Sequence, residues 1–149
     1  MACSLTRNGH RLSISFSPDG FFVAMQRDTK APVGTISAVH NPRGARFYFP
    51  GGGALGYLVV NPAPRGFGLG HALVSAAVDR LLAAGYRTVW VGVEDWRDAA
   101  IRTYLAGGFL PFLHAPEPDA LAARWRAVFS RLSRGPTESE WRRSLANPD

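Results

Sequence analysis

Cysteine, long apolar runs and metal-ligand patterns are all scarce in this 149-residue sequence, and each scarcity excludes a class of protein. Cys3 is the only cysteine, which rules out an internal disulfide and a zinc site built from cysteines, and which fits a reducing compartment. The four histidines show no metal-ligand spacing, so we predict no metal. No apolar run approaches the roughly 20 residues of a membrane span, and residues 1–10 lack the apolar segment of a signal peptide. We therefore expect a cytoplasmic protein with no membrane partner.

Acidic residues are also few, 11 against 17 basic ones, which gives a formal net charge of +6. Almost all of the positive charge is arginine, because Lys30 is the only lysine. Such a charge attracts polyanions, both nucleic acids and phosphorylated cofactors. The basic residues are spread along the chain and do not cluster with exposed aromatic residues, so a nucleic-acid partner is the least favoured interpretation.

Glycine is plentiful, and its most informative pattern lies between an apolar strand pattern at residues 55–60 and a helical pattern at residues 71–84. The sequence there reads Arg65-Gly66-Phe67-Gly68-Leu69-Gly70. Glycine-rich backbone at a helix N-terminus presents free N–H groups to phosphate oxygens, and Arg65 adds a guanidinium that matches phosphate geometry. We therefore expect this turn to bind a pyrophosphate. A glycine-rich turn that only connects strand to helix is the alternative.

Two familiar phosphate-binding motifs do not fit this turn. It lacks the Gly-Lys-Ser/Thr ending of a P-loop, which disfavours hydrolysis of a nucleoside triphosphate. A dinucleotide fingerprint needs its third glycine where His71 stands, and the acidic residues that follow, Asp79 and Glu94, are out of register. The pattern that remains is Arg-x-x-Gly-x-Gly.

Strand and helix patterns alternate through the second half of the chain. They predict a buried strand at residues 89–94, a helix at 99–106 and a returning strand at 109–113. Before the glycine turn, alternation and turn signals predict strands at residues 11–16, 21–26 and 33–40. This order is typical of an α/β or α+β fold.

Beyond these elements, residues 119–133 predict an amphipathic helix, and the sequence from Thr137 to Glu140 has the pattern of a capping box for a short last helix. From the length we expect one domain over residues 1–149, with a motif core at 33–113 and a C-terminal helical extension at 117–146.

Two segments in combination carry a family resemblance. One is the run at residues 65–70, and the other is Ala100-Ile101-Arg102-Thr103-Tyr104-Leu105-Ala106-Gly107-Gly108-Phe109. The chain from about Val33 to Leu113 resembles the GNAT superfamily of acyl-CoA-dependent N-acetyltransferases, whose motifs are a Gln/Arg-x-x-Gly-x-Gly/Ala turn and an Ala-Ile-x-x-Tyr-x-x-x-Gly-Phe helix. The resemblance implies a single domain with a mixed central sheet, splayed at the coenzyme site and with helices on both faces. It also implies acetyl-CoA (coenzyme A) as cosubstrate, with no metal.

The resemblance implies a role for several residues. Pantetheine should lie in the opening of the sheet, bonded to the backbone of Leu58, Val59 and Val60, and the amides of residues 65–70 should hold the pyrophosphate. Tyr104 matches the tyrosine that faces the coenzyme sulfur and can protonate the leaving thiolate. An ordinary half-buried tyrosine that packs its ring on the sheet is the alternative.

The junction after the strand at 89–94 departs from the usual family pattern. Many members carry asparagine at the position of Arg97, whereas this chain is similar to a branch with an acidic-acidic-Trp-Arg junction. Arg97 could contact a phosphate or the ribose of the coenzyme, or it could pair with Asp95 or Asp98.

Transfer to an amine requires a group that accepts the amine proton. The strand at residues 55–60 offers no carboxylate, so Glu94 is the best-placed base, followed by Asp95 and then His40. A solvated charge at a strand end is the alternative for each of them.

The acceptor pocket is the least determined part of the prediction. GNAT proteins usually place two helices between their first two strands, but only about four residues separate the first two strand patterns here, so those helices are missing or shortened. The pocket is then open, closed by other parts such as Phe47-Tyr48-Phe49 or the helix with Trp125, or closed by a second subunit in a homodimer. Ordinary packing is the alternative for these aromatic residues.

The resulting prediction is an acyl-CoA-dependent N-acyltransferase that moves acetyl from acetyl-CoA to an unidentified primary amine by direct attack. A catalytically silent acyl-CoA-binding or regulatory module is the alternative, and a nucleic-acid-binding protein is less favoured.

Overall fold

A computed structural model gives the fold and describes residues 3–7, 10–16, 20–40, 49–62, 66–114 and 117–143. The strands within these residues are β1 (Cys3–Arg7), β2 (His10–Phe16), β3 (Phe21–Gln26), β4 (Pro32–Val39), β5 (Gly53–Val60), β6 (Val89–Val91), β7 (Phe112–Leu113) and β8 (Arg142–Arg143). The helices are α1 (Leu69–Ala83), α2 (Asp98–Ala106) and α3 (Pro118–Leu132).

Strands β1 to β6 form one sheet in chain order. Each strand is antiparallel to the one before it except β6, which is parallel to β5 because α1 carries the chain back across the sheet. The predicted α/β (α+β) fold with a mixed sheet is therefore confirmed. From residue 3 to residue 60 the regular structure in the described part is strand throughout, as expected for a chain whose first two family helices are missing or shortened.

Helix α1 covers the centre of the sheet and forms the main core with it. Leu73, Ala77 and Leu81 are fully buried on its sheet-facing side, opposite Ile36 and Ala24. Two glycines allow the close approach of the helix: a Cβ on Gly53 would lie 2.7 Å from Leu81 Cδ2, and one on Gly34 would lie 3.0 Å from Leu73 Cδ1. Any side chain at Gly53 would therefore push α1 away from β5.

Helices α2 and α3 extend the structure beside α1. Helix α2 packs against α1, and α3 packs against α2 and β7. Ile101, Val128 and Leu132 form a buried cluster between α2 and α3, and Leu113, Ala122 and Trp141 form a second cluster under α3.

The C-terminal segment differs from its prediction in two places. The strand expected at residues 109–113 is only Phe112–Leu113, and it pairs with β8 in a separate two-stranded sheet. The capping box of Thr137 and Glu140 forms as predicted, but it starts a single 3-10 turn at Glu138–Glu140, after which Trp141 is extended. The chain leaves the helix there because Trp141 is buried beneath α3.

Candidate active site

The glycine turn before α1 is built on two residues in the left-handed region. Gly66 has a φ of +86° and Gly68 has a φ of +76°, values that L-residues rarely adopt. A Cβ at either position would meet nothing within 4 Å. Glycine is therefore required by backbone conformation and not by crowding, and the space beside the turn is open to a ligand.

The first turn of α1 continues this surface with free main-chain donors. Gly68 is the N-cap, no side chain caps the helix, and the first helical bond runs from the Ala72 N–H to the Gly68 carbonyl at 3.0 Å. The N–H groups of Leu69, Gly70 and His71 precede that bond, and the first turn carries no acidic side chain. Such a helix start attracts anions because its N–H groups lie at the positive end of the helix dipole.

Beside this turn, β5 and β6 separate. Their ladder joins only Gly53–Leu55 to Val89–Val91, although β5 continues to Val60. The edge of β5 from Gly56 to Val60 therefore has no ladder partner on the β6 side within the described residues, and its main-chain groups face an opening. The predicted splay of the sheet is confirmed.

A bulge in β5 coincides with the start of the splay. Thr35 pairs with Val59 and Ser37 with Gly56, so two residues of β5, Tyr57 and Leu58, oppose one residue of β4. Tyr57 has a φ of +54°, and its carbonyl accepts a hydrogen bond from Thr35 Oγ1 at 3.1 Å. A non-glycine residue in this conformation is costly and is typical of functional sites. Tyr57 is absent from the residues predicted above; the signal that indicates a bulge here is Gly56, a glycine inside the strand pattern.

The bulge also decides which side chains of β5 face the core. Leu58 and Val60 pack against the main core, whereas Tyr57 and Val59 are 79% and 58% exposed on the other face. The coenzyme contacts predicted at Leu58, Val59 and Val60 are therefore expected from their main-chain groups, along the edge of β5 that has no ladder partner. Phe67 is half-buried and Leu69 is buried in the core, so these two residues contribute main-chain groups to the turn. Arg65 lies outside the described residues.

Helix α2 passes close to the glycine turn and carries Tyr104. A Cβ on Gly70 would lie 3.4 Å from Thr103 Cγ2, which sets the separation of α1 from α2. Tyr104 is 8% exposed, and its ring meets the edge of Phe109 at a centroid distance of 5.8 Å. Burial raises the pKa of the Tyr104 hydroxyl, the positive charge of Arg97 opposes that rise, and Glu94 adds to it.

The β6–α2 junction, residues 92–97, brings Glu94 and Arg97 together. Arg97 Nη1 lies 3.5 Å from Glu94 Oε2, and the Arg97 guanidinium lies 5.9 Å from the centre of the Trp96 ring. Both charged side chains are substantially exposed, so the pair is weak by itself. The pairing considered for Arg97 with Asp95 or Asp98 is not formed, because Arg124 holds Asp95 and Arg131 holds Asp98.

The remaining base candidate, His40, lies far from this group of residues. It follows β4 at the end of the sheet where α1 finishes, and its ring is 5.4 Å from that of Tyr86. His71 is exposed in the first turn of α1. The structure thus brings Glu94 and Arg97 near Tyr104 but does not bring His40 to them.

Of the aromatic residues proposed to line the acceptor pocket, Phe49 and Trp125 are described, and both pack against other aromatic rings. Phe49 stacks on Trp90 at a centroid distance of 5.3 Å and contacts Phe112 at 4.5 Å. Trp125 is half-buried and stacks on Phe129 at 5.4 Å. Phe47 and Tyr48 lie outside the described residues. Among the residues that the structure does describe, Tyr57 and Trp96 are the most exposed large apolar side chains.

The described residues contain no group of three or more His, Cys, Asp or Glu side chains arranged to hold a metal ion. No described helix is both long enough and apolar enough to cross a membrane.

Comparison with known proteins gives a family match and similar individual proteins. The sequence model described as "Acetyltransferase (GNAT) family" matches residues 4–109. A mycothiol acetyltransferase of Amycolatopsis mediterranei is 38% identical over 97 residues, which are 63% of this chain and 31% of that protein. The mycothiol acetyltransferase of Mycobacteroides abscessus is 42% identical over 97 residues, 63% of this chain and 30% of that protein. The matches therefore span less than one third of the length of these relatives.

Among solved structures, the crystal structure of the NatC complex bound to Gag peptide and CoA contains a similar chain. The TM-score is 0.55 at 25% sequence identity, and the alignment covers 63% of this chain and 59% of that one. The sequence and structure comparisons thus agree on one fold.

Proposed function

The chain belongs to the acetyltransferase (GNAT) family, and from that membership we propose that it transfers an acetyl group from acetyl-CoA to a primary amine. The observation that carries this proposal is the position of an uncapped helix start beside a strand edge without a ladder partner. A long cofactor with a phosphorylated end and an amide-rich arm fits both parts. The similar chain belongs to a complex, NatC, whose crystal structure was solved with CoA bound, and this supports the choice.

The coenzyme would be held mainly by main-chain groups. The amides of residues 66–70, together with Arg65, would bind the pyrophosphate, and Arg97 would contact a second polar group of the coenzyme. The free edge of β5 at Leu58, Val59 and Val60 would bond to the amides of the pantetheine arm. Main-chain donors suit this task because they are fixed before the ligand arrives and lose little freedom on binding.

The reaction in this site is direct transfer. The amine nitrogen attacks the thioester carbonyl, the C–S bond breaks, and the thiolate takes the proton of the Tyr104 hydroxyl. The proton that the amine loses goes to Glu94, directly or through water. The Tyr104 hydroxyl is protonated at neutral pH already at its ordinary pKa near 10, so it has a proton to donate. Burial raises this pKa and weakens the acid, whereas the positive charge of Arg97 acts in the opposite direction.

Ligand-dependent stability tests the proposal. Melting is measured alone and with acetyl-CoA, free CoA or ATP; a ligand at about 100 times its dissociation constant adds roughly 2.7 kcal/mol to the unfolding free energy. We expect stabilisation by both CoA species and weaker stabilisation by ATP. Release of free thiol is then followed with a panel of amines that includes the acceptor of mycothiol acetyltransferases. No stabilisation by any CoA species would refute the proposal.

The role of Glu94 is tested by Glu94→Gln with Glu117→Gln as the control, since both carboxylates are exposed and Glu117 lies before α3. We expect Glu94→Gln to lower kcat with little change in acetyl-CoA affinity, and Glu117→Gln to change neither. Equal rates in the two variants would exclude Glu94 as the base.

A coenzyme-binding module without turnover is the second candidate. It is favoured by the open sheet face at Tyr57 and Val59, where no described helix closes an acceptor pocket. Stabilisation by acetyl-CoA without thiol release across the amine panel would support it.

A further inference from the structure

An arginine of α3 contacts the N-terminus of α2, and an arginine of α2 contacts the C-terminus of α3. Arg131, in the last turn of α3, donates from Nη2 to Asp98 Oδ1 at 2.6 Å and from Nε to the same oxygen at 3.0 Å, and it also donates to the main-chain oxygen of Asp95. In return, Arg102 of α2 donates from Nη2 to the carbonyl of Leu132 at 3.1 Å. Asp98 is a carboxylate at the N-terminus of α2, and Arg102 brings a positive charge to the C-terminus of α3. The helix dipoles favour both placements.

Arg124 adds a second link from α3 to the same junction. It lies seven residues before Arg131, hence on the same helix face, and its Nη2 is 3.0 Å from Asp95 Oδ2. Asp98 and Asp95 are the two carboxylates closest to Arg97 along the chain, and Glu94 is the next. Both are held by arginines of α3, and among the described residues the carboxylate that Arg97 contacts is Glu94, at 3.5 Å.

The junction has few main-chain hydrogen bonds, although Val93 packs against two hydrophobic clusters. The β6 ladder ends at Val91, and the turn from Glu94 to Arg97 has one main-chain hydrogen bond, from the Arg97 N–H to the Glu94 carbonyl at 3.0 Å. An unpartnered Asp95 or Asp98 in such a short turn would compete for the Arg97 guanidinium, because carboxylates favour that fork geometry.

We propose that Arg124 and Arg131 are positioning residues, which hold Asp95 and Asp98 away from Arg97 and so leave Arg97 free to bind the coenzyme. The inference rests on the proposed function.

The test is rescue by a second substitution. Arg131→Ala should weaken acetyl-CoA binding, measured by calorimetry, roughly fivefold because it frees Asp98. Arg131→Ala combined with Asp98→Asn should restore the wild-type affinity, since no free carboxylate remains. If Arg131 only holds α3 in place, the double variant should bind acetyl-CoA as weakly as Arg131→Ala, because Asp98→Asn cannot restore the lost contact.

Arg126→Ala is the matched control. Arg126 lies on the same helix, is similarly exposed, and donates from Nη2 to Glu138 Oε2 at 3.0 Å, but it does not contact the junction. It should leave acetyl-CoA affinity unchanged. If Arg131→Ala does not fold, Arg124→Ala and its combination with Asp95→Asn give the same test on the more exposed pair.

The effect must also depend on Arg97. In an Arg97→Ala background, Arg131→Ala should change acetyl-CoA affinity by much less than fivefold, because the competition has been removed. Unchanged affinity in both Arg131→Ala and Arg124→Ala, with wild type binding acetyl-CoA, would overturn the positioning role alone. Failure of the wild type to bind acetyl-CoA would instead refute the proposed function.

Discussion

Gly68→Ala is the sharpest test of the glycine turn. Gly68 has a φ of +76°, it is the N-cap of α1, and a Cβ there would touch no other atom within 4 Å. The substitution therefore adds no clash and acts through backbone conformation alone. Alanine disfavours the left-handed region, so the peptide groups on either side of residue 68 would rotate or remain strained.

The two effects of this substitution have different sizes. A left-handed L-residue costs roughly 1–2 kcal/mol, and the reduced freedom of the unfolded chain offsets about 0.4–1 kcal/mol of this cost. The net loss of about 1 kcal/mol lowers the Tm by roughly 2–4 °C in a chain of this length. Loss of one hydrogen bond to a charged phosphate costs about 1.5–3 kcal/mol, so acetyl-CoA affinity should fall at least about tenfold.

Gly51→Ala provides the matched control. Gly51 also has a positive φ, +68°, it is exposed, and a Cβ there would likewise meet nothing within 4 Å. It precedes β5 at the end of the sheet away from the start of α1. Thermal melting and calorimetric titration with acetyl-CoA are measured for both variants. We expect similar losses of stability, with loss of affinity confined to Gly68→Ala.

Two results would refute this reasoning. If both variants bind acetyl-CoA as tightly as wild type, the amides of the turn do not hold the coenzyme. If both lose affinity equally, the loss reflects stability and not the geometry of the turn.

Three further predictions concern two buried residues, Tyr104 in the candidate site and Leu81 in the core. Tyr104→Phe should lower kcat about 100-fold or more with less effect on acetyl-CoA affinity than Gly68→Ala, as checked by thiol release and calorimetry; an unchanged kcat would exclude Tyr104 as the acid. Because burial raises the pKa of Tyr104 above its usual value near 10, the folded state keeps a proton that the unfolded state loses. The unfolding free energy of wild type should therefore fall as the pH rises above about 10, and denaturant titrations of Tyr104→Phe should lack this component. Leu81→Ala removes a fully buried side chain that packs on Gly53 and should cost about 2.7–5 kcal/mol, whereas Leu82→Ala, at a 51% exposed neighbour, should change stability by about 0.5 kcal/mol or less.

Local patterns predicted most elements of the fold because each depends on residues that are close in sequence. The periodicity of residues 71–84 and the glycine turn before them correspond to α1 at Leu69–Ala83, and the alternation at residues 21–26 corresponds to β3 without error. The strand predicted at residues 89–94 is three residues long, Val89–Val91. The reason is not local: its partner, β5, turns away after Leu55, and a strand ends where its ladder ends.

The sequence predicted individual residues of the candidate site but not how they lie relative to one another. The glycine turn and Tyr104 could be predicted because their residue types indicate their roles: glycine permits a turn with positive φ, and tyrosine carries a hydroxyl that can donate a proton. Gly56 inside the strand pattern indicates a bulge near Tyr57, but which residue takes the left-handed conformation depends on the register shift between β4 and β5. Arg124 and Arg131 are spaced seven residues apart on a predicted helix, which places them on one face, but their partners lie 29 and 33 residues away in sequence.

The splay that opens the site also explains why α3 matters to it. A longer ladder between β5 and β6 would hold residues 92–97 rigidly, but it would close the edge at Gly56–Val60, which is the proposed binding edge for the coenzyme. With the ladder ending at Val91, the position of Glu94 and Arg97 depends on contacts made after the strand. Those contacts come from α3, through Arg124 and Arg131 and through the buried cluster of Ile101 with Val128. An open cleft and an ordered junction are therefore compatible in this fold because a helix later in the sequence replaces the missing strand pairing.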